Sequence, residues 1–191
     1  MRNKIFLKGK AVNLRLVNLN DAEFIVKLRT NKKLNRYIHN EPTNVNIQIS
    51  WIKEYLERDN DYYFIIEKAN DKSSVGLISI YNIQDKSAEW GRWILSEGNN
   101  FAIESVQLIY KFAFELLELD YIFCRTVEAN KSVISFHNSC GLKQVDIIKN
   151  HFFLNQKYYH AVEHKLYKEN WKKVDNKLEK LAYLIYKKTN V

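Results

Sequence analysis

The sequence predicts a single α/β domain in which a mixed, mostly antiparallel central sheet is flanked by helices, with one extra helix at the C-terminal end. Three observations carry that reading. Strand-length runs of apolar and aromatic residues recur at 11–17, 62–66, 75–81, 88–95, 121–127, 142–149 and 158–167. Between them the apolar period changes to that of a helix face, most clearly at Ile103, Val106, Ile109, Tyr110, Ala113, Phe114 and Leu117. The segments run as a strand, a helical pair, an antiparallel hairpin and then alternating strand and helix, an order that suits helices on both faces of one sheet.

Composition bounds the alternatives. At 191 residues the chain is long enough to bury one core, and 46% hydrophobic with 14% aromatic residues argues against disorder. No apolar run approaches the roughly 18–20 residues that cross a bilayer, and the first residues lack a secretory apolar core. The expectation is a cytoplasmic protein without membrane insertion. The formal charge of +8 raises nucleic acid as a partner, but residues 165–191 alone hold eight Lys against three acidic residues. The rest is mildly basic, a balance that phosphate-bearing small ligands suit as well as RNA does, so no nucleic-acid partner is expected. Cys124 and Cys140 do not make a disulfide framework, and no metal site is expected. Both read as buried thiols; the sharper alternative is a thiol nucleophile, since His137 lies three residues before Cys140.

The run at 11–17 is the first strand. Asn20 followed by Glu23 reads as a capping-box start for a helix through Phe24, Ile25 and Leu28. Polar and aromatic groups then interleave from Arg29 to His39, ahead of Pro42. Residues 45–58 read as an amphipathic helix with Ile49, Ile52, Tyr55 and Leu56 facing inward. The strands at 62–66 and 75–81 are joined by the polar cluster 70–74, and a turn near 84–86 leads to the strand at 88–95. Gly91 in the middle of that strand signals a bulge or a close backbone approach.

The polar loop 96–101 delivers the chain into the helix at 102–118. A helix start has N–H groups without internal partners and the positive end of the macrodipole, so this is a place for an anion. Small or turn-forming loop residues let phosphate come near the main chain. A strand at 121–127 and a short helix at 130–142, stopped by Gly141, complete the central unit. Two further strands meet at the turn 155–157. The tail, 169–188, places Trp171, Val174, Leu178, Leu181 and Ile185 on one stripe, read as packing surface against residues 1–168 or against a second copy in a homodimer. A basic helix on a membrane or on RNA is the other reading.

From Ala88 to Leu142 the chain resembles the acetyl-CoA-binding core of the GNAT (Gcn5-related) N-acetyltransferases. In that family the loop before the long helix reads Gln/Arg-x-x-Gly-x-Gly/Ala, and the later helix reads Asn-x-x-(Ser/Ala), then Tyr or His, then Gly-Phe. Here Glu97, Gly98, Asn99, Asn100, Phe101 and Ala102 stand for the first, with Glu97 where Gln or Arg is usual and Asn100 where Gly is usual. Asn130, Val133, His137, Gly141 and Leu142 stand for the second. The resemblance covers most of residues 1–168 and implies a GNAT-like sheet and an acetyl-CoA-dependent transferase. It also implies that residues 98–102 hold the CoA diphosphate, that the backbone of Trp93, Ile94 and Leu95 lines the pantetheine and acetyl groups, and that Asn130 contacts the cofactor.

Acetyl transfer from a thioester to an amine needs a neutral amine, a polarised carbonyl and a proton for the thiolate. Glu89 matches the position of the family's general base. With an intrinsic pKa of about 4.3 it needs partial desolvation, which Ala88 and Trp90 permit, and a surface ion pair is the plainer alternative. His137 stands where most members carry Tyr; an imidazolium titrating near neutrality can protonate the thiolate, or the ring only completes a hydrogen-bond network.

The family's acceptor wall lies between the first two strands, which makes Arg29, Asn31, Asn35, Arg36, Tyr37 and His39 candidate substrate contacts. The resemblance is nearest to two branches, one acting on ribosomal-protein N-termini and one on nucleotide-linked amino sugars of bacterial surface glycans. The scarcity of acidic residues from Arg29 to His39 favours the small-molecule amine on a nucleotide-linked sugar. A CoA-binding chain without catalysis is the third reading, resting on Glu97 and Asn100.

Overall fold

The computed structural model describes residues 5–38 and 44–189. Eight strands form one sheet: β1 (Phe6–Lys8), β2 (Val12–Leu16), β3 (Tyr62–Lys68), β4 (Ser74–Gln84), β5 (Ser87–Leu95), β6 (Tyr121–Val127), β7 (Lys143–Leu154) and β8 (Lys157–Tyr167). Their order is β1-β2-β3-β4-β5-β6-β8-β7. Neighbours are antiparallel except β5 and β6, which run parallel. The helices are α1 (Ala22–Arg29), α2 (Val45–Leu56), α3 (Ala102–Lys111), α4 (Lys131–Ser139) and α5 (Lys168–Thr189).

The sheet is buried on both faces at β3, which is why that strand reads as a continuous apolar run. Its alternate residues go to different cores. Tyr63 and Ile65 pack with Ile25 and Leu28 of α1 and Ile52 and Tyr55 of α2. Phe64 and Ile66 join Val106, Ile109 and Tyr110 of α3 and Trp171, Val174 and Leu178 of α5. Of the stripe on α5, Trp171, Val174 and Leu178 are buried, Ile185 is half-buried and Leu181 is exposed. No helix among the described residues is long and apolar enough to cross a membrane.

Four expectations need correction. The capping box is Asn18 with Asp21, ahead of a 3-10 turn at Leu19–Asp21, and not Asn20 with Glu23. Arg15 decides this, because its guanidinium grips both Asp21 oxygens at 2.7 and 2.8 Å and holds the box two residues early. In α2, Leu56 faces solvent and Gln48 is buried. The long helix is α-helical only to Lys111 and continues as a π-type turn over Phe112–Leu116, which keeps Ala113 and Phe114 buried. Strand β1 was not evident, since three residues are too few for a period to show.

Candidate active site

The cleft exists because two strands part. The parallel ladder between β5 and β6 runs through Ser87–Tyr121, Ala88–Ile122 and Glu89–Phe123 and then stops. Beyond it, Trp90–Ile94 on one side and Cys124–Val127 on the other line an opening of about 270 Å³. The edge of β5 that faces this opening has no ladder partner past Glu89, so its main-chain donors are available to a ligand.

A bulge sits at the same place. Ser79 pairs with Gly91 and Leu77 with Ile94, leaving Arg92 and Trp93 opposite a single residue of β4. Arg92 takes the extra residue with φ +46°. Gly91 is needed for another reason: a Cβ there would lie 3.0 Å from the Tyr81 hydroxyl, which closes over it.

The loop 96–101 joins the end of β5 to the start of α3. Gly98 adopts φ +76° with nothing within 4 Å of where a side chain would begin, so the main chain there is open. Asn100 is not among the residues with positive φ, so an Asn in place of the usual Gly imposes no strain. The Asn99 amide braces the loop from inside, donating to the Ser96 hydroxyl at 2.6 Å and the Ser96 carbonyl at 3.0 Å. Glu97 turns outward, half exposed, toward Lys33 at 3.4 Å. The first turn of α3 carries no side-chain cap that would compete for its N–H groups.

Glu89 is 9% exposed, accepts from the Asn82 amide at 3.3 Å and lies 3.6 Å from Arg125 Nη1. Arg125 is shared, since its Nε donates to Glu163 at 3.0 Å. Tyr81 lines the cleft beside Glu89, and burial together with that carboxylate pushes its phenol well up. His137 is buried under Trp90, with ring centroids 5.1 Å apart, and beside His164 at 5.4 Å. Burial, and then the neighbouring His164, pull the His137 imidazole down to about 3.

A strand pair split by divergence and a carboxylate at the split form one site. An acetyltransferase (GNAT) domain family matches residues 11–143. The chain is a GNAT acetyltransferase. It is 25% identical to the spermidine N(1)-acetyltransferase of Vibrio cholerae over 152 residues, 77% of this chain and 87% of that one. It is 20% identical to the acetyltransferase PseH of Campylobacter jejuni, over 80% of this chain and 96% of that one. Among solved structures, apo FdhC, described as a nucleotide-linked sugar GNAT, superposes with a TM-score of 0.78 at 32% identity, covering 94% of this chain and 98% of that one.

As in GNAT enzymes generally, acetyl-CoA is the co-substrate, and the residues present suit it. Open main chain at Gly98 and an uncapped α3 start can take a diphosphate, and the unpaired β5 edge can take an amide-bearing arm. Of the residues expected to touch cofactor, Trp93, Ile94, Asn130 and His137 line the cleft. Gly98, Asn99, Asn100, Phe101 and Ala102 do not line it, and the Leu95 side chain packs into the core below α3.

Of the expected acceptor wall, Arg29 and Tyr37 line the cleft. Asn31 and Asn35 do not: Asn31 Oδ1 accepts the Lys33 N–H at 2.9 Å and closes a local turn that also contains Asn35. Arg36 is drawn over the Tyr37 ring at 5.2 Å. His39 lies outside the described residues.

Two chemical expectations change. A buried imidazole held near 3 is neutral at physiological pH, so His137 does not supply an imidazolium; it can offer a hydrogen bond. The thiol reading also falls. Burial pushes Cys140 up to about 11 and Cys124 well above its ordinary value, so neither is a thiolate. No group of three or more His, Cys, Asp or Glu among the described residues is placed to hold a metal.

Sequence reading overlooked Arg92 and Arg125. A signal was present for the second: a guanidinium at a central, inward position of the strand 121–127 needs a carboxylate partner.

The His137 environment makes a stability prediction. In the unfolded chain the ring protonates near 6.5, and in the folded chain only near 3. The unfolded state therefore binds more protons between those values, and stability falls as pH drops through that window. A His137→Phe variant should show a shallower loss of its urea midpoint from pH 6.5 to 4 than wild type. Parallel slopes in the two proteins would show that the ring is not buried in its neutral form.

Proposed function

We propose that the enzyme transfers acetyl to a primary amine of an amino sugar linked to a nucleotide. The charge of the cleft carries this reading. Arg29, Arg92 and Arg125 line it, and Glu89, the lining carboxylate, is already 3.6 Å from Arg125. A polycationic acceptor such as spermidine, or a basic protein terminus, would set like charges together. A diphosphate is attracted by the same groups. Tyr37, Tyr81 and Phe152 supply faces for a sugar ring. FdhC, described as a nucleotide-linked sugar GNAT, supports the reading, and spermidine, the acceptor named for other relatives, is the competing one.

Acetyl-CoA brings the activated acetyl group. Glu89, 3.6 Å from Arg125, receives the proton of the incoming ammonium directly or through water. Main-chain N–H groups on the unpaired edge of β5 polarise the carbonyl, and neutral His137 donates a hydrogen bond toward the departing sulfur. Free-thiol release should appear with amino-sugar nucleotides and should exceed release with spermidine or basic N-terminal peptides by at least about 100-fold in kcat/KM. Spermidine as the preferred acceptor would overturn the proposal.

A further inference from the structure

The bulge in β5 does more than open the main chain. Before it, Ala88 and Trp90 face the core under α3. After it, Trp93 and Leu95 do so, and Ile94 faces the core under α1 and α2. The alternation therefore slips by one, and Gly91 and Arg92 in succession face the acceptor side. Without the extra residue Arg92 would point into the core beside Trp90.

Its guanidinium is then held from several directions. Nη1 donates to both oxygens of Asp61 at 2.8 and 3.0 Å, and Asp61 is 7% exposed. The guanidinium carbon lies 4.3 Å above the Tyr81 ring and 5.7 Å from the rings of Trp51 and Tyr63. Asp61 also lies 3.9 Å from Arg58, so two guanidiniums share this carboxylate. Arg125, by contrast, stands between two carboxylates. Arg92 shares its carboxylate with a second guanidinium, and its side chain stays 25% exposed on the cleft wall. A left-handed backbone, a shared acid and an aromatic stack all fix one cation that still meets solvent.

We propose that Arg92 binds the diphosphate of the acceptor, with Asp61 and Tyr81 as its positioning residues. This rests on the nucleotide-linked reading of the acceptor. One irregularity in β5 then serves both substrates, freeing main chain for the thioester and aiming a guanidinium at the acceptor's charge.

The test uses CoA-saturated protein, so that the CoA diphosphate site is filled, and calorimetry with UDP and dTDP as probes. Wild type should bind at least one of them. Arg92→Gly, which suits the positive φ, should weaken that binding by roughly 10- to 100-fold and raise KM for a nucleotide-linked amino sugar to match, with CoA affinity unchanged. Arg92→Lys keeps the charge and loses the fork, and should fall between. Equal UDP and dTDP affinity in wild type and Arg92→Gly overturns the assignment, as does failure of wild type to bind either. Turnover of a nucleotide-linked amino sugar with KM unchanged in Arg92→Gly removes Arg92 and leaves the acceptor reading standing. Arg92-dependent diphosphate binding with turnover confined to another amine class does the reverse.

Discussion

Glu89→Gln should lower kcat by about 10²- to 10⁴-fold, the range that general-base catalysis contributes. The substitution isolates proton acceptance. Gln keeps the volume, and its amide oxygen can still take the hydrogen bond that Asn82 donates at 3.3 Å. What disappears is the negative charge that Arg125 faces at 3.6 Å and that an ammonium needs in order to become a nucleophile. CoA affinity should hold, because Glu89 lies at the point where β5 and β6 part and not at the loop 96–101. Thiol release followed with an amino-sugar nucleotide across neutral pH is the measurement. A variant at wild-type rate would move the base elsewhere. Raising the pH should partly restore the variant, since the free amine then forms in solution without help.

That the carboxylate was legible and its partner was not has a physical reason. Strand, loop and helix are each local in sequence, so β5, the loop 96–101 and α3 follow from period and turn composition alone. Gly91 signalled its irregularity for the same reason. Arg125 and Glu163 meet only because β6 and β8 pair across nearly forty residues, with Arg125 opposite Glu163 in the register. No local pattern reports such a meeting. His137 shows the other limit: its identity suggested a titrating ring, and its protonation is set by Trp90 and His164 from other strands. Of the acceptor wall, Arg29 and Tyr37 line the cleft, and Asn31 and Asn35 do not. Asn31 is a turn-closing Asn of an ordinary kind, and Arg92, three residues from Glu89 and two from Trp90, acquires its direction only through the bulge.

Glu104→Ala should destabilise the fold by about 2–4 kcal/mol, read as a lower urea midpoint at unchanged slope. Glu104 sits in the first turn of α3 and is 8% exposed. It receives the main-chain N–H groups of Lys10, Ala11 and Val12 at 2.6, 2.8 and 3.0 Å. Three donors converging on one carboxylate do for the β1–β2 turn what a bound anion would do, and they tie that turn to the helix start ninety-odd residues later. Alanine leaves the donors without an acceptor, and Val12, fully buried, has no access to water. Glutamine is the informative companion: its amide oxygen satisfies some of the donors while its NH₂ opposes the rest, so it should lose stability as well despite its matching size. A midpoint unchanged in both variants would mean that the turn finds other acceptors. Glu104 also carries the negative charge that a helix start favours, so one carboxylate serves both the β1–β2 turn and α3.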